Sequence, residues 1–257
     1  MLHFVALFIV DSGLAAAALG LVSLVTPLRF LGVGSRLQGL AIAGLGVAAV
    51  VAGMLLPAPL ERVADVRSDL DRAMPAWQFR ERHHLHVNAS PEAVYRAIRD
   101  VTADDIVLFR TLTWIRSPYF TQSDGGSILR PPAAPAPILD VALRSGFLQL
   151  SERPGREIVV GAIVAGRASG AGGARTSENF IRLDAPGFAK ATMNFLVEPN
   201  RTGGTDVATE TRVYGTDAGA TRRFAAYWRV IYPGSALIRV MWLRAIKQRA
   251  EGETWGG

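Results

Sequence analysis

The chain has 257 residues, 49% of them hydrophobic and 19% charged, with 28 basic residues against 22 acidic and no cysteine. The absence of cysteine excludes disulfides, thiolate metal sites and a cysteine nucleophile, and leaves the redox compartment open. The basic residues are almost all arginine and are spread among acids rather than gathered into a stripe, which argues against nucleic acid as a partner and leaves anionic lipid as the better use of the +6 charge.

The apolar excess is concentrated before residue 60. From Leu2 to Thr26 only His3 and Asp11 can ionise, and from Leu37 to Leu56 nothing can. Each run reaches the roughly 20 residues a bilayer-spanning helix needs, so residues 1–60 are expected to form a transmembrane helical hairpin. Gly39, Ala43, Gly44 and Gly46 offer a small-residue face to Ala15–Gly20 on the first helix. Asp11 is the costly residue, with an ion or proton role set against simple access to water near the interface. Arg29 and Arg36 in the connection are outnumbered by Arg62, Arg67 and Arg72 after the second helix, so the positive-inside count leans toward cytoplasmic termini. The expectation is a two-pass protein of the cell membrane with its soluble part in the cytoplasm. Residues 61–76 read as a charged linker helix.

From Trp77 to Val87 the alternation suits a strand, with Phe79, Glu81, His83, Leu85 and Val87 on one face and Arg80, Arg82, His84 and His86 on the other. Ser90 caps a helix whose first turn holds Pro91 and Glu92. A second helix is expected through Ile106–Ile115, a loop over 117–136, and a short helix at Ile138–Arg144. Phe147–Glu152 and Glu157–Ala165 read as a hairpin around Arg153-Pro154-Gly155-Arg156. Residues 166–177 are glycine-rich. Phe180–Leu183, Ala189–Glu198 and Thr205–Tyr214 are expected as closing strands, and residues 252–257 as a disordered tail.

Residues Asp217–Glu251 carry helical periodicity. Phe224, Tyr227, Trp228 and Ile231 share one face, and Ile238, Met241, Trp242, Ala245 and Ile246 share another. Between them Pro233-Gly234 predicts a break, with Ser235 capping the second segment.

The opening strand followed by Ala-Ser-Pro-Glu-Ala-Val-Tyr-Arg-Ala-Ile (89–98) and Asp100-Val101 resembles the start of the START-like, Bet v1-like or polyketide-cyclase-like (SRPBCC) superfamily. That resemblance, over roughly residues 80–250, implies an α+β helix-grip fold. In it a curved seven-stranded antiparallel sheet wraps a long carboxy-terminal helix, and here the domain would span 77–251 behind the two membrane helices. It implies a hydrophobic small molecule, a lipid or polyketide, held between sheet and helix. Phe195, Tyr227, Trp228, Ile231, Tyr232, Ile238 and Trp242 are then candidates for the cavity wall, with plain core as the competing reading of the aromatics. His83, Glu210 and Arg212 are polar candidates, although Val207, Thr209, Thr211 and Val213 make the better-packing face and so favour a solvent-exposed pair for Glu210 and Arg212. The clustered His83, His84 and His86 alternate between strand faces, so no metal is expected. No cofactor motif is present, and no acid–base pair is evident from spacing, so a binding protein is preferred to a cyclase-type enzyme, with a membrane scaffold as the third reading.

Overall fold

Glycine placement governs the first compact unit. The computed structural model describes residues 2–26, 28–107, 109, 111, 135–166 and 176–252. Its first unit comprises residues 1–59 together with 222–232. Helices α1 (Leu2–Val25) and α2 (Arg36–Leu55) run antiparallel. Both are long and apolar enough to cross a membrane. Gly13 lies against Gly46 and Val50, Gly20 against Gly39 and Ala43, and Gly53 against Val10, so close that a methyl group on Gly20 would stand 2.4 Å from the Ala43 nitrogen. This close backbone contact through small residues holds the pair together. Gly44 faces away, with nothing near its absent side chain, unlike the other small residues expected at the seam. Ser35 caps α2 in a capping box with Gln38.

The second unit comprises residues 60–221 and 233–257. Its sheet has five antiparallel strands in the order β3-β7-β6-β5-β4, namely Phe79–Val87, Thr205–Gly215, Ala189–Pro199, Glu157–Ala165 and Leu148–Arg153. The hairpin turns fall where glycine supplies positive φ, at Gly155 for β4–β5 and at Gly203 and Gly204 for β6–β7. Helix α4 (Pro91–Asp100) begins with the expected Ser90 cap, and α5 covers Ile138–Arg144. Val94, Ile98, Ile138 and Leu139 from these helices pack with Phe195, Val197, Val207, Trp242 and Ile246 in one apolar cluster.

Three local expectations change. Residues 61–76 form no continuous helix. They make strand β1 (Glu61–Arg62), a five-residue α3 (Asp69–Ala73) and the start of β2 (Ala76–Trp77), which pairs with β1. This segment is tied down by the sheet: Glu157, fully buried, accepts from the Asp69 and Leu70 amides at 2.8 and 3.2 Å and from Asn194 Nδ2 at 2.8 Å. Residues 180–183 are no strand, because Thr176 caps a helix α6 (Ser177–Arg182) there. Finally, the terminal helix α7 runs unbroken from Ala218 to Gly252 with Pro233 inside it. A proline deletes one helical hydrogen bond, and contacts on both sides oppose a break: Arg229 is bonded to residues 54 and 56, and Ser235 to Glu81. Ser235 therefore spends its hydroxyl on a carboxylate and caps nothing. Asp217 caps the helix, accepting from the Ala220 amide at 2.8 Å. Among the described residues the main sheet has five strands, with β1 and β2 as a separate pair, where the resemblance implied one seven-stranded sheet. The expected second helix falls only partly within the described residues, and the loop, the glycine-rich stretch and the tail fall largely outside them.

Candidate functional site

Strand alternation turns Phe79, Glu81, His83, Leu85 and Val87 to one face of the sheet, where β7 presents Val207, Thr209, Thr211 and Val213 and β6 presents Met193, Phe195 and Val197. On α7, Ser235, Ile238, Arg239, Trp242 and Ile246 share the side that meets this face. Toward Val87 the interface is apolar. Around Glu81 it is not.

Glu81 is 2% exposed. Its Oε1 lies 2.9 Å from His83 Nε2, and its Oε2 accepts from Ser235 Oγ at 2.9 Å. Thr211 stands across from Glu81 in the β3–β7 register, and Met193 across from Thr211. The Arg239 guanidinium touches Met193 and lies 5.5 Å from the centre of the Trp242 ring. Two polar atoms here, Thr211 Oγ1 and Trp242 Nε1, are buried with no hydrogen-bond partner among the described residues. Such atoms each cost on the order of 1–3 kcal/mol when dry and unmet, so natural cores rarely keep them without a use. The result is a polar end on an apolar wall: a carboxylate held by two donors, an imidazole that is partly open, a free hydroxyl and a free indole N–H. It can bind an oxygen-bearing group by hydrogen bonds, and the His83–Glu81 pair can pass a proton.

The sequence candidates separate into three groups. Phe195, Ile238 and Trp242 come together, with Phe195 and Trp242 5.0 Å between ring centres, and they fill the core. Tyr227, Trp228, Ile231 and Tyr232 belong to the first unit, where Trp228 stacks with Phe224 and Tyr232 at 5.7 and 5.6 Å. Their helical spacing matched the other aromatics, but sequence gives no sign that the two halves of α7 serve different partners.

Glu210 and Arg212 are neither exposed nor on the α7 side. They point to the opposite sheet face and are buried beneath residues 61–77. Arg212 bonds Asp71 Oδ1 at 2.7 Å, Glu210 Oε1 at 2.7 Å and the Met74 carbonyl at 3.0 Å, and stacks 4.0 Å over the Trp77 ring. Arg80 joins Glu210 at 2.9 Å. A groove of about 630 Å³ beside them is lined by Arg62, Asp65, Arg82 and Glu198, with its charges largely paired among themselves. His84 and His86 are exposed on this same face, and no group of three metal-ligating side chains forms among the described residues.

Of the polar candidates, His83 does lie on the α7 side, whereas Glu81, Thr211 and Arg239 were missed. Glu81 shared a strand face with His83, and their i, i+2 spacing was the available sign of the pair. Thr211 and Arg239 carried no sign, because their partners come from other strands and from the helix.

No family model matches the chain, and no curated protein matches it. Among solved structures, one similar protein from Mesorhizobium loti is 13% identical, covers 68% of this chain and 98% of its own, and has a TM-score of 0.31. Another, from Chromobacterium violaceum, is 16% identical over 62% of this chain and 96% of its own, with a TM-score of 0.23.

Proposed function

We propose that this chain is a membrane-anchored binding protein for a hydrophobic small molecule, a lipid or polyketide-like compound bearing a polar group, held between the inner sheet face and the second half of α7. In this reading the fold is of the helix-grip kind, α1 and α2 sit in the cell membrane, and the sheet unit faces the cytoplasm. The observation that carries it is the pair of buried, unpartnered atoms, Thr211 Oγ1 and Trp242 Nε1, beside the buried Glu81 on an otherwise apolar wall.

The test removes each orphaned polar group in turn. Thr211→Val does so at nearly constant volume and is expected to raise thermal stability or leave it unchanged, whereas Trp242→Phe also empties part of the core and is expected to cost about 1–2 kcal/mol. Each should also weaken binding of a fluorescent fatty acid such as cis-parinaric acid by about tenfold, the loss of one good hydrogen bond. Undiminished binding in the double variant removes the reading. Native mass spectrometry of the detergent-purified protein would then identify any co-purified apolar ligand.

A second reading, that the site also transfers a proton to or from its ligand, has one observation in its favour: His83 and Glu81 form a 2.9 Å pair. His83→Gln separates the two, since it would spare binding and abolish chemical change in the ligand.

A further inference from the structure

The first unit holds a short stretch of α7, residues 222–232, whose attachment fixes its depth relative to the hairpin. Arg229 is 2% exposed, and its Nη1 and Nη2 donate to the carbonyls of Met54 and Leu56 at 2.7 and 2.6 Å. Met54 lies in the last turn of α2 and Leu56 is its C-cap, so a cation there satisfies carbonyls at the helix end and the negative end of the helix dipole. On the reading that α1 and α2 span the bilayer, this is the point at which α2 emerges from the hydrocarbon.

The side of 222–232 that packs inward is Phe224, Ala225, Trp228 and Arg229. The opposite side is Arg222, Arg223, Ala226 and Val230, all exposed, with Val230 at 51%. These positions follow i, i+4, i+8 and i+1, so they form a single stripe, basic at its amino end and apolar at the other. Neither arginine has an ion-pair partner among the described residues. Tyr227 and Tyr232 flank the stripe, half-buried, as amphipathic rings do at the level of lipid head groups.

We infer that residues 222–232 form an interfacial helix that binds the anionic head-group layer of the bilayer, with Arg222 and Arg223 on lipid phosphates and Val230 against the acyl boundary. The occupant is a phospholipid surface because the segment is joined by hydrogen bonds to the end of an apolar hairpin, and because an unpaired arginine pair beside a bare valine matches a phosphate layer above a hydrocarbon one. This rests on the membrane-anchor reading of α1 and α2, and the experiment keeps the two apart.

The chain has no cysteine, so Val230→Cys, Leu45→Cys and Arg67→Cys can each carry a spin label without background. In nanodiscs of phosphatidylcholine and phosphatidylglycerol, the label at position 45, on the exposed lipid side of α2, should collide with dissolved oxygen and not with a water-soluble nickel chelate. The label at 67 should do the reverse, and the label at 230 should behave as that at 45. If 45 is lipid-facing and 230 is in water, the interfacial helix is wrong while the anchor stands; if 45 is itself in water, the anchor reading fails and this inference with it. Lipid preference is read by native mass spectrometry of the full chain released from equimolar nanodiscs. Phosphatidylglycerol should be retained over phosphatidylcholine, and the enrichment should fall about fivefold for each arginine removed in Arg222→Ala and Arg223→Ala, the equivalent of ~1 kcal/mol per charge. Arg222→Lys with Arg223→Lys should retain it. Equal retention of the two lipids by the wild-type chain overturns the head-group assignment.

Discussion

Arg212 Nη2 and Asp71 Oδ1 lie 2.7 Å apart although 141 residues separate them, and both side chains are buried. The contact joins the last strand of the sheet, β7, to the short helix α3 that precedes strand β3. It closes a chain of charges from Asp71 through Arg212 and Glu210 to Arg80, on the face away from α7. Removing one member leaves an opposite charge buried alone. Arg212→Met should therefore cost about 3–5 kcal/mol in chemical unfolding, the usual penalty for breaking a buried pair. A loss under about 1 kcal/mol would place the network in the weak class of surface pairs.

The same contact sets a pH dependence. Burial pushes the Asp71 carboxyl up, but the Arg67 amide, the Arg212 guanidinium and Ser68 more than reverse this, leaving its pKa below the ordinary 3.8. The unfolded chain thus takes up the proton more readily than the folded one. The stabilisation is complete above pH 3.8 or so and is lost as the pH falls through the folded value. The stability difference between wild type and Asp71→Asn should stay constant from pH 7 to about 5 and narrow below pH 4. A gap that narrows near neutrality would contradict this.

Because α3 supplies Asp71, the buried Leu70 and the amides that satisfy Glu157, the sheet unit needs residues 60–77 as part of its structure. In mild detergent, which shields the aromatic face of residues 222–232, a chain lacking 1–59 should unfold cooperatively. One lacking 1–76 should be destabilised by several kcal/mol, since it loses the burial of Leu70 and the hydrogen bonds that residues 69–74 make to Glu157 and Arg212. Equal melting of the two truncations would show the segment to be dispensable.

Packing of the hairpin distinguishes two glycines two residues apart. A methyl on Gly46 would lie 2.4 Å from the Ala17 nitrogen, whereas one on Gly44 would meet nothing. Gly46→Ala should cost about 1–3 kcal/mol in detergent unfolding through forced separation of the helices, and Gly44→Ala should cost nothing or stabilise α2. Identical effects would mean the two helices do not pack by this seam.

Pro233 lies inside a continuous helix, so replacing it restores a backbone donor with no break to repair. Pro233→Ala should raise stability by up to about 3 kcal/mol. A drop in stability would indicate that the proline supports a bend on which the surrounding contacts depend.

The sequence alone determined the elements whose signals are local. Two apolar runs of membrane-spanning length, the Ser90 cap, the Arg153–Arg156 turn and the alternation of Phe79–Val87 all rest on neighbours within a few residues, and each stands in the structure. Period-two alternation likewise put Glu81 and His83 on one face. Tertiary structure decided what depends on distant partners. Residues 61–76 became strand and short helix because Glu157 and Arg212 lie beneath them. Pro233 stayed helical because contacts on either side outweigh one lost hydrogen bond. Tyr227, Trp228 and Tyr232 parted from Trp242 because a helix of 35 residues is long enough to serve two compact units. The polar end of the inner face was hidden for the same reason: Glu81, Thr211, Ser235 and Trp242 come from two strands and a helix. Burial, which turns an ordinary threonine or indole N–H into a group in need of a partner, exists only once those elements have packed.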